Sequence, residues 1–191
     1  MSDKEEKKEN IMGTLGITRL IMKMSLPLMI SMLIQALYNI VDSMFVARVS
    51  ETALTAVSLA FPLQNLLIAF GVGTGVGMAS YLSRKLGEKD TETATKAAGN
   101  GITLAVITWV LFAILGLTIV KPFMALFTDD AELLGLSTSY SEIVMIFSFF
   151  MLLSMMNERI LQGTGDSFSS MLSQMTGAIT NIILDPVFIF V

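Results

Sequence analysis

Two carboxylates, Asp42 and Asp185, fall inside apolar runs long enough to cross a lipid bilayer. A charged Asp at the centre of a membrane helix costs about 2.5–3.5 kcal/mol on translocon scales, so an intramembrane carboxylate reads as a functional site. No basic residue lies near either one within its run. A small cation is then the natural charge partner, and the expected chemistry is reversible protonation, or Na⁺ binding, at Asp42, Asp185 or both. The chain has no His and no Cys. That removes the usual proton relay, thiolate metal sites and disulfides, and leaves carboxylates to carry any proton.

The neighbours of each Asp follow a helical repeat. Gln35, Asn39 and Asp42 are spaced i, i+4, i+7, with Ser31 and Tyr38 beside the stripe, and Pro27 near its start permits a bend. The last run repeats this with Gln174, Asn181 and Asp185, Asn181 one turn before the acid and Pro186 directly after it. An Asn so placed can hydrogen-bond the carboxylate, and Pro186 frees backbone carbonyls toward a cavity. The plainer alternatives are a polar stripe that only holds helices together, and an Asp185 simply solvated near the outer interface.

Three other features have weaker chemical content. Gly71, Gly73, Gly75 and Gly77 alternate in the second run. They match no phosphate-binding fingerprint but supply two G-x-x-x-G spacings for close helix packing. Gly163-Thr-Gly165-Asp166 spells the string of intramembrane aspartyl proteases, yet it falls in a predicted turn, away from any second catalytic Asp. No enzyme activity is expected. The 15 methionines suit either an adaptable cavity or a lipid-facing surface.

The elements that must position these residues are membrane helices. Of the 191 residues, 53% are hydrophobic and 15% charged, with a mean hydropathy of +0.72. A soluble domain carries about 25% charged residues. The fold class expected is all-α, a polytopic transmembrane bundle. Its spans fall at about 24–47, 57–82, 102–120, 140–157 and 168–191, within a lobe covering 17–191, after a polar cytoplasmic tail at 1–16. Residues Ile17 to Lys23 read as a short separate amphipathic helix.

The first apolar run is too long for a signal peptide and no cleavage site follows it. Ten basic residues (Lys4, Lys7, Lys8, Arg19, Lys23, Arg84, Lys85, Lys89, Lys96, Arg159) fall on one side of the spans, and two, Arg48 and Lys121, on the other. The positive-inside rule then places the N-terminus in the cytoplasm. No basic patch suggests nucleic acid. The sequence stops at Val191 inside an apolar stretch, which reads as the front part of a longer transporter.

Pro27 through Asp42, the glycine-rich run ending in Arg84-Lys85-Leu86-Gly87-Glu88-Lys89-Asp90, Gly163-Thr-Gly165-Asp166, and Asn181-Ile-Ile-Leu-Asp185-Pro186 together resemble the multidrug and toxic compound extrusion (MATE) family. The first-span Asp, with the Asn and Asp of the fifth, is similar to its DinF-like branch. The resemblance implies a twelve-span, two-lobe antiporter of the cell membrane, exporting amphipathic and mainly cationic drugs or metabolites against H⁺ or Na⁺, with no other cofactor. Asp42, Asn181 and Asp185 would then serve coupling, and Gln35, Tyr38, Asn39, Tyr140 and Asn157 would line the substrate cavity. About five of twelve spans are present, so a missing C-terminal lobe, besides the lipid bilayer and the small-molecule substrate, is an expected partner. A non-transporting membrane subunit that pairs with a second polypeptide is the alternative.

Overall fold

The computed structural model describes residues 13 and 15–190; the expected tail at 1–16 falls almost wholly outside them. Six helices follow in order: α1 (Ile17–Val49), α2 (Glu51–Gly87), α3 (Thr91–Thr118), α4 (Val120–Met124), α5 (Ala131–Gly163) and α6 (Ser167–Phe190). Among the described residues there is no strand, and the class is all-α as expected. The expected spans at 24–47, 57–82 and 140–157 lie inside α1, α2 and α5, α3 stops at Thr118 short of the expected 120, and α6 begins at Ser167, with Val191 outside the described residues; most of these helices run past the apolar segments into the polar connections.

Capping explains where they stop. Ser50, Asp90 and Asp130 each occupy an N-cap and accept backbone N–H groups, Ser50 from Ala53 at 2.9 Å, Asp90 from Thr93 at 3.0 Å and Asp130 from Glu132 and Leu133 at 2.9 and 3.0 Å. Asp166 does the same for α6, accepting from Ser169 at 3.0 Å. An Asp or Ser at that position satisfies donors that the first turn leaves orphaned. The Gly163-Thr164-Gly165-Asp166 string is the matching stop for α5. Gly165 sits at φ 91°, its N–H donates to the Gln162 carbonyl at 3.0 Å, and the Asp166 N–H donates to the Leu161 carbonyl at 2.9 Å. This is a Schellman closure followed at once by an N-cap. The string is structural punctuation.

The segment Ile17 to Lys23 is not a separate helix. It is the first part of α1, because no helix breaker separates it from the apolar run that follows. Pro27 lies inside α1 without ending it, and the Ser31 hydroxyl donates to the Pro27 carbonyl at 3.1 Å.

Four helices, α1, α2, α3 and α5, are long and apolar enough to cross a membrane. The fifth expected span, α6, has 24 residues but a first half rich in Ser, Thr and Gln. Large apolar side chains face outward, among them Phe147 at 64% exposure and Phe150 at 69%. A surface of this kind belongs against lipid. The chain is a multi-pass membrane protein.

Packing divides the bundle into two parts. Helices α2, α3 and α5 contact one another extensively, whereas α1 packs mainly on α6. Within the first part, Phe112, Leu67 and Leu152 are almost completely buried. Half of the glycine repeat works as expected. A Cβ on Gly71 would meet Leu152 Cδ2 at 3.0 Å and one on Gly75 would meet Arg159 Cγ at 2.8 Å, while Gly73 and Gly77 face open space. Hydrogen bonds pin α5 at three levels. Gln64 Nε2 donates to the Tyr140 hydroxyl at 3.0 Å, Trp109 Nε1 to the Ile146 carbonyl at 2.8 Å, and the Ser83 hydroxyl to the Gly163 carbonyl at 2.8 Å.

Candidate functional site

Helices α1 and α6 bring the predicted residues together. The Tyr38 side chain lies close to Asn181 and within electrostatic reach of Asp42, Asp185 and Tyr140. Asp42 in turn lies within reach of Asp185. Both pairings, Tyr38 with Asn181 and Asp42 with Asp185, advance by one turn on each helix. That is what two parallel helices in register produce. Asp185 Oδ2 is shielded from solvent and has no hydrogen-bond partner among the described residues. Tyr140, half-buried on α5, closes the group from the other part of the bundle through its bond to Gln64.

Below this cluster a cleft of about 550 Å³ opens between the α1–α6 pair and the α2–α5 face. A drug-sized ligand typically occupies about 300–1,000 Å³. Gln35, Tyr38 and Asn181 line it, together with Ser31 and Gln174. Its apolar wall includes Met32, Met151 and Met155, which assigns a cavity position to three of the methionines.

Two predicted residues lie elsewhere. Asn39 lines a separate shallow groove with Ser43 and Met44, facing α2 near Leu54. It is about 100° around the helix from Tyr38, at the far edge of the stripe, and so turns toward α2 instead of the cleft. Asn157 is exposed and lines neither space, and its neighbour Glu158 lines the cleft instead. One residue on a helix again turns the side chain by about 100°. Pro27 and Pro186 both lie within continuous helix.

Sequence reasoning missed the lower end of the cleft, where Glu158, Arg159 and Gln162 on α5 meet Gln174 on α6. Gln174 Nε2 donates to the Ser170 hydroxyl at 3.4 Å, and both Arg159 and Gln174 lie within electrostatic reach of the Glu158 carboxylate. Arg159 Nη1 donates to Gln162 Oε1 at 2.7 Å, and Gln162 Nε2 donates to the Ser170 hydroxyl at 2.9 Å. These residues read as a polar connection in the sequence because the apolar run ends at Asn157. The available signal was their spacing: Glu158 and Gln162 are i, i+4 on a helix that continues to its glycine stop.

Comparison with known proteins places this arrangement. Residues 27–187 match the MatE family. The multidrug export protein MepA of Staphylococcus haemolyticus is 29% identical over 176 residues, covering 92% of this chain and 39% of that protein. An FAD transporter of Shewanella oneidensis is 27% identical over 174 residues, covering 91% and 38%. The solved structure of a MOP superfamily transporter from Pyrococcus furiosus superposes with a TM-score of 0.86 at 32% identity, covering 90% of this chain and 38% of that one. The chain thus spans somewhat under two fifths of the length of these relatives. With a match at residues 27–187 that runs across both Asp-bearing helices and the cleft they border, this chain belongs to the MatE family.

Proposed function

We propose that the chain forms one lobe of a cation-coupled antiporter that exports amphipathic, mainly cationic, drugs or metabolites. The observation that carries this is the juxtaposition of Asp42 and Asp185 on parallel helices, one turn beyond Tyr38 and Asn181, which both line the cleft. Two carboxylates so placed hold one positive charge better than none, because a proton or Na⁺ relieves both their repulsion and their desolvation. Asp42, Asp185 and Asn181 are the coupling residues in this reading. Gln35, Tyr38 and Tyr140 line or close the substrate space. Carboxylate, amide and phenol oxygens suit H⁺ or Na⁺ and require no further cofactor.

Transport by alternating access needs a second lobe to rock against the first, and the relatives are more than twice as long as this chain. The proposed partner is such a lobe, within the cell membrane. The N-terminus is assigned to the cytoplasm. The Ser83–Gly163 hydrogen bond puts the α2–α3 and α5–α6 junctions at one end of the bundle, where Arg84, Lys85, Lys89 and Lys96 collect.

The test is efflux of a fluorescent organic cation from cells producing this lobe together with its partner lobe as one complete transporter. Asp42→Asn is expected to abolish gradient-driven efflux while leaving the amount of protein in the membrane unchanged. Efflux at the wild-type rate would remove Asp42 from the mechanism.

A further inference from the structure

The first two turns of α1 carry positive charge that nothing in the bundle uses. Arg19 and Lys23, one turn apart, are both exposed, and among the described residues neither forms an ion pair. Other cations are placed differently: Arg84 and Lys85 pair with Glu88 at 3.1 and 2.7 Å, and Lys96 with Glu92 at 2.6 Å. No acid occurs on α1 between Ile17 and Val41. The register that sets Tyr38 beside Asn181 puts Asp166 level with Lys23, but that carboxylate caps α6 through the Ser169 N–H at 3.0 Å. Lys23 and Arg48 bracket the apolar run with about 38 Å of helix between them. The hydrocarbon core of a bilayer is about 30 Å thick, and about 40–45 Å with its headgroups. Lys23 therefore reaches the headgroup layer, and Arg19, about 6 Å further along the axis, lies within it. Towards the membrane centre the same face turns apolar. Leu26, Ile30, Leu33 and Leu37 continue from Arg19 and Lys23 in one helical stripe, and all four are exposed. The stripe is about 17 Å long, close to the depth of one leaflet.

We propose that Arg19 and Lys23 hold the headgroup of an anionic phospholipid whose acyl chains run along Leu26, Ile30, Leu33 and Leu37. A guanidinium grips a phosphodiester through two N–H groups, and the ammonium one turn away adds a point charge. A zwitterionic headgroup carries its own cation and gains less from two adjacent positive side chains. Met32 and Gln35, which line the cleft, lie on the other side of α1, so this lipid does not compete with the contents of the cleft. Its effect is to fix the depth of the helix that carries Asp42.

The experiment offers the purified full chain, in mixed micelles, equal amounts of phosphatidylglycerol and phosphatidylcholine, and counts retained lipids by native mass spectrometry. Each cation at a charged surface is worth about fivefold, so wild type should favour phosphatidylglycerol about twentyfold. Arg19→Gln and Lys23→Gln should each lose about fivefold, and the double variant nearly all of the preference. The charge-keeping pair Arg19→Lys/Lys23→Arg should retain it. Arg84→Gln/Lys96→Gln removes as much charge from cations that are already paired, and should also retain it. An unchanged preference in Arg19→Gln/Lys23→Gln, or an equal loss in both Gln pairs, overturns the proposal. So does a preference that disappears in the complete transporter, which would mean that the partner lobe occupies this face. A second measurement needs no variant: acetylation of wild-type lysines in phosphatidylcholine nanodiscs with and without phosphatidylglycerol. The anionic lipid should slow Lys23 several-fold more than Lys89, which is exposed and serves as the reference for surface charge. Equal slowing of the two contradicts the assignment.

Discussion

Asp42 and Asp185 are far apart in sequence and come within electrostatic reach of each other only because two parallel helices pack together. Tyr38 and Asn181, one turn earlier on each helix, meet by the same register. The polar identities of these residues were legible in the sequence, since an Asp in an apolar run is conspicuous. Which of their neighbours join them was not. Asn39 and Asn157 each miss the cleft by one helical step, a rotation that composition cannot report. A different carboxylate does its work at a helix end. Asp166 accepts from the side chain and the backbone N–H of Ser169, which holds it below the usual carboxylate range. Its contribution is complete above the unfolded-state value of about 3.9 and is lost as pH falls through the lower folded value. Amide hydrogen exchange at the α5–α6 junction should therefore accelerate as pH is lowered below about 4, after correction for the intrinsic rate. Asp166→Ala should exchange fast at every pH. A junction whose protection ignores acid in the wild type would show that the cap carries no weight.

Helix ends behaved as element-scale chemistry predicts once the caps are read with them. The apolar runs located the five long helices, but Asp90, Asp130 and Asp166 set their true limits, each well outside or at the edge of the hydrophobic stretch. Glu158 to Gly163 was misread as a connection for this reason: hydropathy fell there, while the helix continued to a Schellman stop. The G-x-x-x-G repeat was half legible. Spacing identified a packing surface, and only the orientation of α2 decided that Gly71 and Gly75, not Gly73 and Gly77, face α5. At that interface the Ser83 hydroxyl joins α2 to the Gly163 carbonyl. Hydrogen bonds between membrane helices average about 0.6 kcal/mol and reach about 1.7. Ser83→Ala should destabilise the bundle by that order in unfolding titrations in mixed micelles. A loss several times larger would mean the contact organises the junction as a whole.

At the scale of the whole molecule, the division into an α2–α3–α5 unit and an α1–α6 pair has a functional consequence. The cleft lies between the two parts: Glu158 lines it from the unit, while Asp42 and Asp185 sit above it on the pair. Movement of the pair against the unit would change the exposure of all three carboxylates together. This is how ion occupancy on α1 and α6 and occupancy of the cleft could affect one another without contact. No sequence pattern announced the division, because it depends on which helix faces are complementary, a property of tertiary packing. The most direct test of the account measures ion movement during export, with H⁺ and Na⁺ gradients imposed one at a time in membrane vesicles holding the complete transporter. Substrate export should be driven by one of the two gradients, accompanied by opposite flow of that ion, and Asp185→Asn should abolish both fluxes together. Export that proceeds with neither gradient, or that survives Asp185→Asn with its ion flux intact, would contradict it.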